Sequence, residues 1–369
     1  MRSEWKDCVL GDLVTLQRGY DLPKTKMKFG KYPVVGSNGI IGWHNEYTTE
    51  APSITIGRSG NVGRPFLING KSWSHNTTLY VKEYKNTDPI FLYYLLKTLD
   101  LGNYAGGSAV PTLNRNHLYT VPVAVPKSIE EQKKIARMLS IIDEKVKLNI
   151  RINDNLEQQA QAIFEKEFLE VQTLPEGWKQ ASLIDIAEYL NGLAMQKYRP
   201  SDREIGIPVL KIKELRQGCC DDSSELCSPN IKSNYIIHDG DVIFSWSGSL
   251  LVDLWCGGIC GLNQHLFKVT STKYDKWFYY AWTKYHLNRF IAVAADKATT
   301  MGHIKRDELK KAKVLIPEEG AYKRIGKLLK PTYDLIITNR IENKQLSMAR
   351  DTLLPMLMAG KIDISAIHF

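Results

Sequence analysis

Two stretches of the chain place mainly apolar residues at alternating spacings of four and three, the repeat that marks one face of a coiled-coil helix. The first set of seam positions is Ile135, Leu139, Ile142, Val146, Asn149, Asn153 and Leu156. The second set, 190 residues later along the chain, is Ile325, Leu329, Ile336, Asn339, Asn343 and Leu346. The pattern predicts two long helices that pack on each other as an antiparallel coiled coil.

Both predicted helices carry two asparagines in the middle of the seam. Buried polar residues at such positions fix the register of a coiled coil at some cost in stability. We therefore expect Asn149 and Asn153 to face Asn339 and Asn343, with a solvated, frayed centre as the alternative. About 37 residues would give each helix a length of roughly 55 Å. Pro331 is expected to kink the second helix or to mark its beginning, because proline lacks an amide proton.

Outside these helices, short runs of β-branched and aromatic residues between turn signals predict mixed α/β segments. Strands are predicted at 53–56, 78–81, 242–245 and 266–269, and aromatic-rich helices at 90–99 and 276–290. The chain then divides into globular segments 1–127 and 173–317 and helical segments 128–172 and 318–369. The expected fold class is mixed α/β, with two similar globular domains separated by the two long helices.

The two globular segments resemble each other. Matching positions recur in the same order, at an offset that grows from 173 to 191 residues. Examples are Trp5 and Trp178, Gly19 and Gly192, Ser59 and Ser247, and Arg115 and Arg306. A slowly growing offset indicates a duplicated domain with a few loop insertions, and it is far too long for a solenoid repeat. We interpret the chain as two copies of one domain, each followed by a helix.

The charge balance points to a polyanionic partner. The 369 residues include 49 Lys and Arg against 40 Asp and Glu, a net charge of +9. Segment 1–127 holds 15 basic and 9 acidic residues, and segment 173–317 holds 19 and 16, so the excess lies in the globular copies. No apolar stretch approaches the ~20 residues of a membrane span. The first residues lack a signal peptide's apolar region, and six cysteines are too few for a disulfide scaffold. We expect a cytoplasmic protein without a membrane partner.

No catalytic constellation is visible in the sequence. The phosphate-binding loop, the nucleophile elbow and an Asn-Pro-Pro-Tyr type of methyltransferase motif are all missing. The cysteines between 219 and 260 include no Cys-x-x-Cys pair, so free thiols are favoured over a zinc site. These observations argue against a self-contained enzyme and against a cofactor or metal ion in this chain.

Basic residues interleaved with polar and aromatic ones suit a nucleic-acid partner. Arg and Lys match guanine edges and phosphates, Asn and Gln match adenine, and Ser permits close backbone approach. The candidate DNA-binding residues of the first copy are Arg18, Lys24, Lys26, Arg58, Ser59, Arg64, Lys71, His75, Asn76 and Arg115. Those of the second copy are Lys197, Arg199, Lys211, Lys213, Trp246, Ser247, Gln264, Lys297, His303, Lys305 and Arg306. Each alone is explained by a solvated surface; the whole set favours DNA.

With these features the whole chain resembles the specificity (S) subunits of type I restriction-modification systems. The motifs that carry the resemblance lie at 5–12 with Gly19, and at 32–39, 113–126, 130–136 and 353–362. One departure is at 318–322, which lacks the Glu-Glu-Gln helix start of residues 130–132. The sequence therefore does not define where the second helix begins.

The resemblance implies a non-enzymatic subunit in which each globular copy is a target-recognition domain for one half of a split double-stranded DNA site. It implies that the helices are spacers that dock two modification (methyltransferase) subunits and, through them, restriction subunits. S-adenosylmethionine, ATP and Mg²⁺ are then expected in those partners. The residues themselves leave two alternatives: a self-contained enzyme, and a coiled-coil interaction scaffold that does not read DNA.

Overall fold

A computed structural model of the chain describes residues 5–106, 111–296, 304 and 306–364. The chain forms two compact units. The first unit comprises Met1–Lys145 and Leu346–Phe369, and the second comprises Val146–Gln345. Each unit thus combines the sheet-rich body of one copy with a part of each long helix. The four-segment division at 1–127, 128–172, 173–317 and 318–369 stays a prediction.

Short strands and three short helices build the body of the first unit. The strands are β1 (Trp5–Val9), β2 (Val14–Arg18), β3 (Tyr32–Gly36), β4 (Gly39–His44), β5 (Ser53–Gly57), β6 (Pro65–Ile68), β7 (Trp73–Ser74), β8 (Thr78–Tyr84), β9 (Ala105–Gly106), β10 (Thr112–Leu113) and β11 (Pro122–Pro126). The helices are α1 (Leu10–Leu13), α2 (Pro89–Thr98) and α3 (Arg115–Tyr119), and the long helix α4 (Ile129–Phe164) follows. An antiparallel sheet has the order β2-β8-β5-β6, a mixed sheet has the order β4-β3-β7, and β1 pairs with β11.

The body of the second unit repeats this plan. Its strands are β12 (Lys179–Ser182), β13 (Glu188–Asn191), β14 (Ile207–Leu210), β15 (Leu226–Cys227), β16 (Ile236–Ile237), β17 (Val242–Ser245), β18 (Leu251–Leu254), β19 (Cys260–Leu262), β20 (Leu266–Thr270) and β21 (Lys313–Ile316). Its helices are α5 (Leu183–Ile186), α6 (Ile212–Gln217), α7 (Lys276–Tyr285), α8 (Leu287–Asp296) and α9 (Arg306–Lys311), and α10 (Glu319–Met358) is the second long helix. The order β13-β20-β17-β18 matches β2-β8-β5-β6, and the parallel pair β14-β19 matches β3-β7. The expected fold class is confirmed, because the sequence repeat is a repeat of topology.

Helix α10 begins well before Pro331 and continues through it. The carboxylate of Glu318 accepts hydrogen bonds from the backbone N–H groups of Gly320, at 2.6 Å, and Ala321. These bonds satisfy donors that have no partner inside the first turn of a helix. The interpretation of Pro331 as the possible beginning of the helix was therefore wrong, because an acidic cap sets the start.

Within the second unit the two long helices run antiparallel and share a polar layer. The side-chain amide of Asn149 donates to the Oδ1 atom of Asn343 at 2.9 Å, and that of Asn339 donates to Asn153 at 2.9 Å. Each contact is the counterpart of the other at the repeat offset, so the layer has pseudo-two-fold symmetry. Asn149 is fully buried, and Asn153 and Asn339 are nearly so. The centre of the seam is thus packed and hydrogen-bonded, not solvated and frayed.

The remaining seam residues are buried or half-buried. Ile135 and Leu139 belong to the core of the first unit. Ile325, Leu329 and Ile336 belong to the core of the second unit. The half-buried seam positions are Ile142, Val146, Leu156, Asn343 and Leu346.

Candidate nucleic-acid interface

Several strands of the first unit end close together. Strand β2 ends at Arg18, β5 ends at Gly57 and β7 ends at Ser74, where β8 soon begins. The backbone hydrogen bonds that join these ends are, donor first, Gly19 to Thr78 (3.0 Å), Tyr20 to Ser74 (2.8 Å), Arg58 to Thr77 (2.8 Å), His75 to Val35 (3.0 Å) and Leu113 to Arg58 (2.8 Å). The side chains around these bonds form what we call the first strand-end surface: Arg18, Arg58, Ser59, His75, Asn76 and Arg115.

The second unit carries the same backbone arrangement. Its bonds are, donor first, Gly192 to Leu266 (3.0 Å), Leu193 to Leu262 (2.9 Å), Trp246 to His265 (3.4 Å), Asn263 to Leu210 (3.2 Å) and Ile304 to Trp246 (3.0 Å). Each bond is the counterpart, at the repeat offset, of one in the first unit. The surrounding side chains that are exposed or half-buried form the second strand-end surface: Asn191, Trp246, Gln264, His265 and Arg306. The predicted site residue Ser247 is itself buried.

One glycine in each copy makes this arrangement possible. A Cβ atom on Gly19 would lie 2.1 Å from the carbonyl oxygen of His75, and one on Gly192 would lie 2.2 Å from that of Asn263. These distances are far below any real contact, so only glycine lets the backbone segments approach this closely. The matching glycines noticed in the sequence therefore define the geometry of both strand-end surfaces.

The first strand-end surface is cationic. Partial burial and the nearby Arg18 cation both lower the pKa of Arg58 below its ordinary value, so the two guanidinium groups lie close enough to repel each other. An Nη atom of Arg58 donates to the backbone carbonyl of Asn76 at 3.4 Å, and the Asn76 amide donates to Asp21 at 2.7 Å. Burial also lowers the pKa of His75, which makes its ring a neutral donor and acceptor at pH 7. Two close guanidinium groups beside an amide suit phosphates and base edges.

The second strand-end surface is aromatic and largely neutral. Trp246 occupies the place of Arg58, stacks on Phe267 with ring centroids 5.6 Å apart, and donates its indole N–H to Asn191 at 3.0 Å. The hydroxyl of Ser247 lies 3.0 Å from Nδ1 of His265. The amide of Gln264 lies 3.4 Å from the other ring nitrogen of His265. The same backbone thus presents different hydrogen-bonding groups in the two copies.

An arginine is common to both surfaces, but its surroundings differ. Arg115 lies 3.4 Å from the carbonyl oxygen of Leu16 on β2, and Arg306 lies 3.5 Å from that of Tyr189 on β13. In the first unit the Tyr119 hydroxyl accepts from the Leu16 N–H at 2.9 Å and donates to the Leu16 carbonyl at 3.1 Å. The counterpart of Tyr119 is Lys310, which lines a cavity of about 460 Å³ beside β13.

Four candidate cations form ion pairs inside their own unit. Lys71 contacts Glu50 at 3.0 Å, Arg199 contacts Glu225 at 2.9 Å, Lys211 also contacts Glu225, and Lys213 contacts Asp221 at 3.3 Å. A cation that already has a carboxylate partner is a weaker candidate for phosphate contact. Four further candidates are exposed: Lys24 and Lys26 lie in the 3-10 turn Lys24–Lys26, Lys197 ends the 3-10 turn Met195–Lys197, and Arg64 directly precedes β6. Lys297, His303 and Lys305 lie outside the described residues.

Sequence reasoning missed Asn191 of the second surface and Tyr20, whose backbone joins the strand ends of the first unit. Tyr20 packs against Trp73 and Tyr80, with ring centroids 6.3 and 6.2 Å apart. Asn191 accepts the indole hydrogen bond of Trp246. Each is adjacent to a repeated glycine, Gly19 or Gly192, and that position was the signal that could have identified them.

The described part of the chain contains no group of three or more His, Cys, Asp or Glu side chains arranged to hold a metal ion. Over the same residues, no helix combines the length and the apolar character that crossing a membrane requires.

The chain consists of two similar α/β bodies, each followed by a long helix. Comparison with known proteins identifies the family that has this arrangement. The family model described as the type I restriction modification DNA specificity domain matches residues 2–158 and again 175–347. The chain belongs to this family, so it is a specificity subunit of a type I restriction-modification system. Such subunits take part in DNA target recognition and in complex assembly with methylase subunits, and they are non-catalytic.

Similar proteins agree with this assignment. The type I restriction enzyme MjaIX specificity subunit of Methanocaldococcus jannaschii is 27% identical over 306 residues, which cover 75% of this chain and 70% of that protein. The MjaVIII specificity subunit of the same organism is 23% identical over 341 residues, covering 84% and 78%. A solved S subunit of a type I system from M. genitalium has the same fold, with a TM-score of 0.65, 17% identity and 96% of both chains covered.

Proposed function

We propose that each copy reads one half of a bipartite DNA site, the first half through the first strand-end surface and the second half through the second. The observation that carries the proposal is the matched set of backbone hydrogen bonds with exchanged side chains. A common backbone positions the two readers alike, whereas different side chains give them different base preferences.

The chemistry of each surface supports a distinct reading. Arg18 and Arg58 offer the donors that match the two acceptors of guanine and the oxygens of phosphate. Asn76 and its counterpart Gln264 both have the amide that pairs with adenine, but they differ by one methylene in reach. Trp246 replaces a cation with an indole, which suits apolar contact with bases and the thymine methyl group. The two half-sites therefore differ in sequence.

The long helices are the proposed docking elements for two modification subunits. Exposed apolar residues recur along them, with Leu148 and Ile150 on α4 about half exposed and Leu328 and Leu335 on α10 similarly so. Such residues on a helix surface suit a protein partner. The pseudo-two-fold asparagine layer favours two copies of one partner. The restriction subunits would join through them, and S-adenosylmethionine, ATP and Mg²⁺ would bind to those partner subunits.

The helices also set the separation of the half-sites in this proposal. At 1.5 Å per residue, the 36 residues of α4 give a helix of about 54 Å. The hydrogen-bonded asparagine layer resists sliding of one helix along the other. The spacer between the half-sites is therefore expected to be fixed in length and free in sequence.

A matched pair of variants tests the reading. The target would first be mapped by methylation-sensitive sequencing of the host genome, and then binding of the assembled complex to that duplex would be measured. Asn76→Ala should weaken binding about tenfold and relax the requirement for one base pair of the first half-site. Gln264→Ala should do the same in the second half-site only. The scaffold alternative requires that the wild-type complex show no sequence preference at any salt concentration.

Partner number has its own measurement. Native mass spectrometry of the complex, reconstituted with excess modification subunit, should show two copies for each specificity chain. One copy at saturation would contradict the docking proposal and leave the DNA reading intact.

A further inference from the structure

Two apolar side chains of the described residues are far more exposed than all other large ones. Phe29 is fully exposed and Ile205 is 93% exposed, whereas the next, Met348, is 61% exposed. Exposing a large apolar side chain completely is unfavourable in water. A protein that keeps one such residue in each copy of a repeat needs a use for it.

The two residues occupy similar places in the repeat. Phe29 precedes Gly30 and lies three residues before β3, and Ile205 precedes Gly206 and lies two residues before β14. Strands β3 and β14 are counterparts in the two copies. Each copy therefore places a very exposed apolar side chain in the loop that leads into this strand.

Tight contacts hold each loop against its own unit. A Cβ atom on Gly30 would lie 2.3 Å from the Cα atom of Asn45, and one on Gly206 would lie 2.9 Å from Cβ of Leu226. Gly30 thus packs its loop against the residue that follows β4, and Gly206 packs its loop against β15. The Lys28 N–H also donates to the buried ring of His44 at 3.0 Å. The exposed side chains project from ordered backbone.

Hydrogen bonds of a neighbouring carboxylate fix the second loop in the same way. Glu204, next to Ile205, accepts from the Ser201 N–H at 2.9 Å, from the Ser228 hydroxyl at 3.1 Å and from the Asn230 amide. Both loops are therefore built to present the apolar residue.

Exposed cations lie close in sequence to both apolar residues. Those near Phe29 are Lys24, Lys26, Lys28 and Lys31, and those near Ile205 are Lys197 and Arg203, with the exposed Asp202 next to Arg203. The setting of Ile205 is therefore less cationic than that of Phe29. An apolar side chain among lysines suits a nucleic acid, whose phosphates flank apolar base stacks.

The loop of the first unit connects to its strand-end surface. His44, which holds Lys28, packs edge-on against Trp73 with centroids 5.1 Å apart, and the Trp73 indole lies 3.5 Å from the carbonyl oxygen of Tyr20. A duplex bound at this surface would lie within reach of the loop.

We propose that Phe29 and Ile205 are wedges, each of which inserts between two adjacent base pairs and unstacks them when the subunit binds duplex DNA. Apolar wedges of this kind open base steps and bend the duplex, while neighbouring cations neutralise the phosphates on either side. This role rests on the proposed DNA reading and adds a distortion of the duplex to it. The phenyl ring of Phe29 stacks on an exposed base, whereas Ile205 only separates the pair. The first wedge therefore contributes more to affinity.

The test uses the assembled complex and its mapped target duplex, with 2-aminopurine placed at one position after another. Wild-type binding should raise the probe's fluorescence at one step in or beside each half-site. Phe29→Ala should abolish the rise at the first half-site only and weaken affinity about tenfold. Ile205→Ala should abolish the rise at the second half-site only. Phe29→Leu should keep most of the signal, and Ile259→Ala, which removes a different exposed side chain, should change nothing.

The other outcomes separate the two proposals. A wild-type complex that does not bind the target selectively overturns the DNA reading itself. Selective binding without any fluorescence rise, or with a rise that survives both alanine variants, overturns the wedges and leaves the reading intact. Loss of modification-subunit binding in Phe29→Ala, with the fluorescence rise unchanged, would make the residue a protein contact and also contradict the proposal.

Discussion

The two copies share their backbone hydrogen bonds at the strand ends but not the side chains placed there. Arg58 in the first unit corresponds to Trp246 in the second, yet their backbones make equivalent bonds, and Asn76 corresponds to Gln264 one residue after the equivalent bonds of His75 and Asn263. The glycines that permit close backbone approach, Gly19 and Gly192, are the same. This fold therefore separates two tasks: the main chain positions the surface, and a few side chains give it its chemistry.

The two copies also differ at the edge of the four-stranded sheet, which is β2 in the first unit and β13 in the second. In the first unit, Tyr119 closes the edge of β2 by bonding to both backbone groups of Leu16. It approaches closely because Gly11 has no side chain, with Cβ of Tyr119 3.0 Å from where a Cβ of Gly11 would lie. In the second unit the counterparts are Lys310 and Ile184, which both line the open cavity beside β13. Two differences between the copies, Lys310 in place of Tyr119 and Ile184 in place of Gly11, thus accompany the change from a closed sheet edge to an open one.

Matched substitutions on the two long helices should differ most in their effect on the free energy of unfolding. Arg340 contacts Asp253 at 2.7 Å and Glu157 at 2.9 Å, whereas its counterpart Ile150 is half exposed. Arg340→Met should lower the free energy of unfolding of the second unit by about 3 kcal/mol, because it removes the cation that pairs with the partly buried Asp253 and leaves Glu157 with Lys284 alone. Ile150→Met should change it by less than about 0.5 kcal/mol. Denaturation followed by the fluorescence of the buried Trp277 and Trp282 would measure both, and equal effects would refute the asymmetry.

The same network predicts a pH dependence. Burial raises the pKa of Glu157, but the Lys284 and Arg340 cations outweigh it, and the net pKa lies below the ordinary value of 4.5. A lowered folded-state pKa stabilises the protein above pH 4.5, and that stability is lost as the pH falls through the folded-state value. The difference in free energy of unfolding between the wild type and Arg340→Met should therefore become smaller in acid. A gap independent of pH would show that the carboxylates do not contribute.

The asparagine layer offers a second matched pair. Asn153 accepts a hydrogen bond from Asn339 and donates one to the Ile336 carbonyl. Its counterpart Asn343 accepts a hydrogen bond from Asn149. The Asn149 amide also donates to Glu342 at 2.7 Å. Asn153→Ala should cost about 2 kcal/mol because it leaves the buried amide of Asn339 without its acceptor and removes the Asn153 bond to Ile336. Asn343→Ala should cost less than about 1 kcal/mol. Chemical denaturation of both variants would check the order, and a reversed order would contradict the described hydrogen bonds.

The smallest expected effect concerns the edge of the main sheet. Tyr119→Phe removes both hydrogen bonds to Leu16 and should destabilise the first unit by about 1 kcal/mol. The counterpart change Lys310→Met should stay within about 0.5 kcal/mol, because the Lys310 side chain is exposed. Amide hydrogen exchange on β2 and β13 would localise the effect. Faster exchange on both strands would mean that the edges are not closed differently.

Much of the fold followed from local patterns. Strand β17 has the predicted bounds of Val242–Ser245, and the seam periodicity predicted both long helices. The predicted helix at 276–290 is instead two helices that meet at His286, whose ring contacts the Lys313 carbonyl at 2.8 Å. That break depends on a strand far along the chain, and no local pattern encodes it.

The candidate site was less predictable for the same reason. Whether Lys71 is available to DNA depends on Glu50 and Tyr47, which lie distant in sequence and adjacent in space. The exposure of Phe29 depends on the path of Gly30 against Asn45, although its setting among lysines was visible in the sequence. Residue type indicates what a side chain can bind, but only the fold determines whether another residue has already bound it.

An exchange of side chains between the two copies tests whether one backbone carries two independent readings. The substitutions Arg18→Asn, Arg58→Trp, His75→Asn, Asn76→Gln and Thr77→His give the first copy the side chains of the second. The target of the resulting complex would be mapped by methylation-sensitive sequencing. We predict that the first half-site changes towards the sequence of the second, while the second half-site and the spacer stay as they were. A target that changes in both halves, or an active complex whose target does not change at all, would contradict the account.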